Sequence, residues 1–256
     1  MLLAIDIGNT NSVFGIFKGD QLITRWRLST GLTRTVDESW ITIKLLCQEG
    51  GVEPADLEHV IIGSVVPNVA NVFSTMTEKY LDIGPIIVDA TLPIDLNIKY
   101  ENPRQVGADR ICNAVAGKHL YGLPQVILDF GTATTFDVLD KSGAYLGGVI
   151  TPGFDIAARD LFKKAARLFK VELEFPEHVI GATTEESLQS GILYGAVDAI
   201  NGILVRIRNE LNASKMDIVA TGGMGKMMVP HIQNVTEFNP DLTLQGLRLI
   251  FEQVQT

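Results

Sequence analysis

Three short stretches of this chain place acids beside small polar residues at spacings suited to phosphate chemistry. The first is Asp6-Ile7-Gly8-Asn9-Thr10-Asn11-Ser12-Val13, at the end of the apolar run Leu2-Leu3-Ala4-Ile5. Gly8 lets the backbone turn tightly and come close to a ligand. The polar residues after it offer backbone N–H groups and short side chains to phosphate oxygens. The second is Asp129-Phe130-Gly131-Thr132-Ala133-Thr134, where Thr132 and Thr134 are similar donors. Acids repel phosphate directly, so Asp6 and Asp129 suit such a site only with cations or waters in between. The third is Gly107-Ala108-Asp109-Arg110, preceded by Tyr100. A carboxylate at the edge of an anion site can take the proton of an alcohol nucleophile, and the neighbouring Arg can form a two-pronged pair with a substrate carboxylate.

Each stretch also has a plain structural account. A turn acid that only satisfies backbone donors explains Asp6 at least as well when that turn is taken alone. Asp109 falls in the first turn of a helix, where complementing the helix dipole contributes about 0.3–1 kcal/mol. Arg110 could equally make a bridge within the protein, and Tyr100 could be a core aromatic. Thr221-Gly222-Gly223-Met224-Gly225 follows a strand and could let backbone lie against an adenosine moiety, although such turns are common. His59, His119, His178 and His231 are scattered without ligand or catalytic spacing. The chain has no P-loop pattern, no protein-kinase signature and no Gly-x-Ser-x-Gly nucleophile turn.

The elements that must position these residues follow from the apolar pattern. The apolar run Leu2-Leu3-Ala4-Ile5, the run from Val13 to Phe17 and Gln21–Leu28 read as three successive strands, the first two joined at the site turn and the next pair at Lys18-Gly19-Asp20. A helix follows from Thr35, stopped by Gly50-Gly51. His59–Val66 is an apolar strand, followed by a helix towards Leu81, a short strand at Pro85–Asp89 and an irregular stretch over Leu92–Tyr100. Gly107–Leu120 is helical. At Gln125 the pattern restarts. Asp6 overlays Asp129, Gly8 overlays Gly131, Asn9 overlays Thr132 and Lys18 overlays Lys141 without a gap, and His59–Ser64 resembles Asp217–Gly223. A repeat of this kind predicts an α/β fold of two duplicated halves, 1–122 and 123–256, around a central cleft faced by one acid-tipped hairpin from each.

The second half carries a helical insertion. Gly147-Gly148-Val149-Ile150-Thr151-Pro152-Gly153 punctuates the chain ahead of a helix over Phe154–Phe169, whose Lys163, Lys164 and Arg167, with Lys170 beyond, read as a solvated face. Thr183 or Thr184 caps a long helix to about Leu211, with Glu186 completing a capping box. Gly191, Gly195 and Gly202 recur along it and permit close packing against another helix, including one from a second subunit. A last helix covers Leu242–Val254.

Composition bounds the rest. With 256 residues, 46% hydrophobic and 20% charged, the chain reads as an ordinary globular protein with a substantial core. A net charge of −9 argues against nucleic acid or an anionic membrane surface as the main partner. Cys47 and Cys112 sit in apolar-periodic stretches without metal-type spacing. No uninterrupted apolar run reaches the ~18–20 residues of a membrane span. The expected location is the cytoplasm.

Taken together, Asp6-x-Gly-Asn-Thr10, Gly107-Ala-Asp-Arg110, Asp129-Phe-Gly-Thr-Ala-Thr134 and Gly147-Gly-x-Ile-x-Pro-Gly153 resemble the type III pantothenate kinases, in the family's order and spacing over essentially the whole chain. The resemblance implies two RNase H-like halves of the actin-like ATPase superfamily. It implies a homodimer that phosphorylates the primary hydroxyl of pantothenate with ATP, opening the route to coenzyme A. Carried over by position, Asp6, Ile7, Gly8, Asn9, Thr10, Asn11, Ser12 and Val13 surround the ATP phosphates, and Thr132 touches ATP. Asp109 is the proton acceptor. Tyr100, Gly107, Ala108, Asp109, Arg110 and Thr184 contact pantothenate. Asp129 holds a monovalent cation, K⁺ or NH₄⁺, and Mg²⁺ accompanies the nucleotide. Ahead of Thr184 the family usually has a basic residue and Asn, where this chain has Ala182 and Thr183. A sugar or acetate kinase of the superfamily would share the hairpins without Gly-Ala-Asp-Arg. An actin-like ATPase would hydrolyse ATP without an acceptor alcohol, and a silent regulatory relative would not need Asp6, Asp109 and Asp129.

Overall fold

The computed structural model describes residues 1–31, 34–164 and 171–255. Along the chain run β1 (Leu2–Ile7), β2 (Asn11–Lys18), β3 (Gln21–Ser29), α1 (Val36–Glu49), β4 (His59–Ser64), α2 (Pro67–Leu81), β5 (Ile86–Ile87) and α3 (Ala108–Leu120). They are followed by β6 (Gln125–Phe130), β7 (Ala133–Leu139), β8 (Tyr145–Pro152), α4 (Phe154–Lys164), α5 (Thr184–Glu210), β9 (Asp217–Thr221), α6 (Gly225–Met228), β10 (Glu237–Phe238) and α7 (Leu242–Gln255). Two units emerge: Met1–Leu120 with Asp241–Thr256, and Tyr121–Pro240. The terminal helix α7 thus joins the first unit rather than the half that precedes it in sequence.

In the first unit the strand order is β3-β2-β1-β4-β5. β1, β2 and β3 form an antiparallel meander, and β4 and β5 lie parallel on the other side of β1. Alternate residues of the central strands separate the two faces. Leu3, Ile5, Ile7, Phe14, Ile16, Val60 and Ile62 pack with Ile43 and Cys47 of α1 and with Val69, Phe73 and Met76 of α2. The capping box of Thr35 and Glu38 starts α1, and Pro67 opens α2, where its missing N–H costs nothing. On the other face the strands present small residues to α3 and α7. A Cβ on Gly63 would lie 3.2 Å from Leu247, and one on Gly15 would lie 3.0 Å from Leu244.

The second unit repeats this plan. Its order is β10-β9-β6-β7-β8, with an antiparallel β6-β7-β8 meander and parallel β9 and β10. Val126, Leu128, Phe130, Phe136 and Val138 pack against Leu193, Val197, Ile200, Leu204 and Ile207 of α5. Strand for strand, β1–β5 correspond to β6–β10, and Asp6 and Asp129 each lie next to last or nearly so in the central strand. The gap-free overlay needs one correction. Asp6 pairs with Val13, whereas Asp129 pairs with Thr135, so the first turn is one residue longer. Its closing bond runs from Gly8 N–H to Asn11 O (3.0 Å), against Gly131 N–H to Ala133 O (3.1 Å).

Two further differences from the sequence reading concern single elements. The Gly147–Pro152 stretch is the body of β8, since Gly147 and Gly148 pair with Val138 and Asp137. Helix α4 is described as far as Lys164. Arg167, Lys170 and the remainder of the predicted Phe154–Phe169 helix lie outside the described residues. Helix α5, at 27 residues, is long and apolar enough to cross a membrane by length and composition alone, although no uninterrupted run in it does so. Its Leu193, Val197, Ile200, Leu204 and Ile207 are buried in the core of the second unit.

Candidate active site

In the first unit, β1 delivers Asp6 to the end of the sheet, in register with Gly63 of β4. Gly63 has no side chain, and that lets the start of α3 lie over it. A Cβ there would stand 3.6 Å from the Cys112 sulfur and 3.8 Å from Ala108. Asp109 occupies the first turn of α3, and Cys112, three residues on, shares its face of the helix. The Cys112 thiol is fully buried and is pushed well above the usual thiol range, first by burial and then by the Asp6 and Asp109 carboxylates. Gly63 is the meeting point, with Asp6 beside it in the sheet and the start of α3 over it. That convergence joins two stretches that the sequence separates by about a hundred residues.

The environment of Asp109 is set by two opposing effects. Burial raises its carboxyl above the ordinary value, while hydrogen bonding and the nearby Arg110 charge pull it down, and burial prevails. Its Oδ1 accepts the Arg110 backbone N–H at 2.8 Å. Gly107 makes this conformation possible, because a Cβ there would sit 2.5 Å from Asp109 Oδ1. Arg110 is itself buried, with 8% exposure. Asn9 and Thr10 are exposed at the turn, while Ser12 is buried behind it. Tyr100 is half-buried in the irregular segment before α3.

In the second unit the half-buried Asp129 lies next to last in β6, and the strand β9 brings Gly222 against it. A Cβ on Gly222, whose φ is +91°, would lie 2.5 Å from both Asp129 Oδ1 and the Phe130 nitrogen. Gly153, after β8, packs on the exposed Thr132 in the same way, since a Cβ there would run into the Thr132 carbonyl oxygen. Thr183 rather than Thr184 caps α5. Its hydroxyl accepts the Glu186 N–H (3.1 Å), and Glu186 reaches back to the Thr183 and Ala182 N–H groups at 3.2 and 2.7 Å. Thr184, the first residue of the helix, is exposed, with its hydroxyl not used in the cap.

The first unit thus collects Asp6–Val13, Tyr100 and Gly107–Arg110, and the second collects Asp129, Thr132 and Thr184. Gly63, Gly153 and Gly222 are supporting positions that sequence reasoning missed or read differently. Gly153 and Gly222 stood in quoted motifs, but only the packing shows what a side chain there would displace. Among the described residues no group of three or more His, Cys, Asp or Glu side chains is placed to hold a metal ion. The donors at hand are carboxylates, hydroxyls and backbone oxygens. Such a set suits a hard cation that keeps its waters or shares phosphate oxygens, as Mg²⁺ does, or a monovalent ion among oxygens.

A family model for type III pantothenate kinase matches residues 2–206. The chain belongs to the type III pantothenate kinase family. A type III pantothenate kinase of Thermomicrobium roseum is 43% identical over 99% of this chain and 98% of that protein. Membership makes this chain a kinase that transfers phosphate to pantothenate, in coenzyme A biosynthesis. Solved structures carry the fold well beyond the type III pantothenate kinases. A conserved Campylobacter jejuni protein assigned to the Baf family of transcriptional activators is 18% identical over 98% of each chain, with a TM-score of 0.62. A ROK hexokinase from Thermus thermophilus is 14% identical over 99% of each chain, with a TM-score of 0.56. These likenesses support the duplicated RNase H-like architecture expected from the repeat.

Proposed function

We propose that Asp109 is the general base of this pantothenate kinase and that the Asp6–Val13 turn holds the phosphates of ATP. The observation that carries the reading is the meeting of the Asp6 turn and the start of α3 at Gly63, which pairs with Asp6 and packs against Ala108 and Cys112. It gives one locale in the first unit both a phosphate-side acid and a carboxylate made more basic by burial. Asp109 takes the proton from the primary hydroxyl of pantothenate as the oxygen attacks the terminal phosphorus, and the bond to the departing ADP breaks. Arg110 offsets the carboxylate of pantothenate, and Tyr100, Gly107, Ala108 and Thr184 contribute to holding the substrate. Exposed N–H and hydroxyl groups of Asn9 and Thr10 receive phosphate oxygens, with Thr132 touching the nucleotide.

Mg²⁺, carried with ATP, would neutralise phosphate charge on the Asp6 side. Asp129 fits as the ligand of K⁺ or NH₄⁺ through its half-buried carboxylate, which offers oxygen donors to a hard cation. The chain acts in the cytoplasm as a homodimer. In support of the dimer, Gly191, Gly195, Ala199 and Gly202 line an exposed face of α5. A Cβ on any of those three glycines would meet no atom within 4 Å. Each glycine in a helix interior costs roughly 0.5–1 kcal/mol relative to alanine, a cost that close approach of a second helix would offset.

A coupled assay of ADP release tests the chemistry. Release should require pantothenate and should collapse when K⁺ is replaced by Na⁺. ADP release at full rate without pantothenate would overturn the assignment, and indifference to the monovalent cation would remove Asp129 from its role.

A further inference from the structure

Strand β3 ends at Ser29, opposite Asn11 of β2. The next residue, Thr30, makes three contacts with the turn that follows Asp6. Its backbone N–H donates to the Thr10 carbonyl at 2.9 Å. Its hydroxyl donates to the Gly8 carbonyl at 2.7 Å. The Ser12 and Thr30 hydroxyls lie 3.0 Å apart. Thr30 has a single hydroxyl proton, which goes to Gly8, so Ser12 is the donor in that last bond. One side chain just past the edge strand therefore engages both ends of a turn that the bond from Gly8 N–H to Asn11 O closes internally.

We propose that Thr30 is a positioning residue for ATP, fixing the direction of the Asn9 amide. The argument is geometric and rests on the reading of Asp6–Val13 as the phosphate-holding turn. In a planar trans peptide the carbonyl and the following N–H point in opposite directions, and the peptide between Gly8 and Asn9 is trans. Holding the Gly8 carbonyl against Thr30 thus aims the Asn9 N–H away from β3, on the side where Asn9 and Thr10 are exposed. Without the Thr30 hydroxyl, the Gly8 carbonyl loses its anchor. Gly8, free of a Cβ, can then rotate this peptide and turn a carbonyl rather than an N–H towards phosphate. The longer first turn, absent from the second unit, is the one that needs such a brace.

The test compares Thr30→Val, Thr30→Ser and Asp6→Asn in the full-length enzyme, with KM measured for ATP and for pantothenate and ADP binding measured by calorimetry. Thr30→Val keeps the shape and the backbone N–H but loses the hydroxyl. It should raise the KM for ATP and weaken ADP by about 3–10-fold, the usual size of one lost hydrogen bond. The KM for pantothenate should stay within about twofold, and Thr30→Ser should restore ATP binding. Equal losses for both substrates, or a serine variant as impaired as the valine one, would mean a merely structural role and overturn the proposal. If Asp6→Asn weakens ATP and Thr30→Val does not, Thr30 alone is wrong. If Asp6→Asn also leaves ATP unaffected, the phosphate reading fails and takes this proposal with it. Should Thr30→Val fold too poorly to assay, Thr30→Cys replaces it, its thiol being a weak donor. An unchanged KM for ATP in that variant would equally overturn the proposal.

Discussion

At the scale of the residue, the catalytic role proposed for Asp109 opposes stability. Its carboxyl is raised because burial disfavours the charge. A carboxyl whose folded value exceeds its unfolded one adds stability only when protonated, and that contribution is lost as pH rises through the folded value. At neutral pH wild-type Asp109 is therefore a burden on folding. Asp109→Asn should lose at least about 10²-fold in kcat, the lower end for a positioned proton acceptor. The same variant should melt no lower than the wild type at neutral pH, and any advantage should vanish as pH falls below the carboxylate range. Near-normal turnover would remove Asp109 as base, and a large drop in melting temperature would make it a structural acid. The buried thiols bear on the same chemistry. Cys47 is pushed up to about 11 and Cys112 well above the usual thiol range, so both remain protonated thiols at neutral pH and take no part in it.

At the scale of the element, the sequence made the strands and the duplicated acid turns legible, because period-two apolar runs ending on Asp-x-Gly leave few alternatives. The start of α3 was legible for the same reason, with Gly107 and Asp109 where the helix begins. Three things were not. The glycine pair of β8 reads as a break, and only pairing with Asp137 and Val138 makes it a strand. The one-residue difference between the two turns is invisible in an overlay that tolerates either register. The membership of α7 depends on a packing contact remote in sequence, Gly246 against the Cys112 backbone. A Cβ on Gly246 would lie 2.1 Å from the Cys112 carbonyl oxygen and 2.5 Å from its carbon. Backbone cannot yield there without driving α7 from α3, the helix that carries Asp109. Gly246→Ala should therefore cost about 1–3 kcal/mol, as overpacking does, and lower the melting temperature by several degrees. Alanine at Gly84, in the loop before β5, is the control, since the same added methyl meets no atom there, and it should leave the melting temperature unchanged or raise it.

At the scale of the whole molecule, the open face of α5 separates a monomer from an assembly. In a lone chain, the surroundings of Gly191, Gly195 and Gly202 would accept larger side chains, and replacing them should be neutral or stabilising through helix propensity. The inner face of the same helix is already committed to the core through Leu193, Val197, Ile200, Leu204 and Ile207. The exposed Val205, at 51%, extends the small-residue face with an apolar side chain that gains nothing from water. A second copy meeting this face would reverse the sign of the substitution. Gly195→Leu should then leave secondary structure intact but shift the enzyme from dimer to monomer in sedimentation or light scattering. A variant that sediments as the wild type does would show that any dimer uses another surface. If the dimer is lost and pantothenate KM rises while ATP KM holds, Thr184 at the start of α5 acts on substrate in a way that depends on the assembled state. If the dimer is lost and both constants hold, each chain carries a complete site by itself.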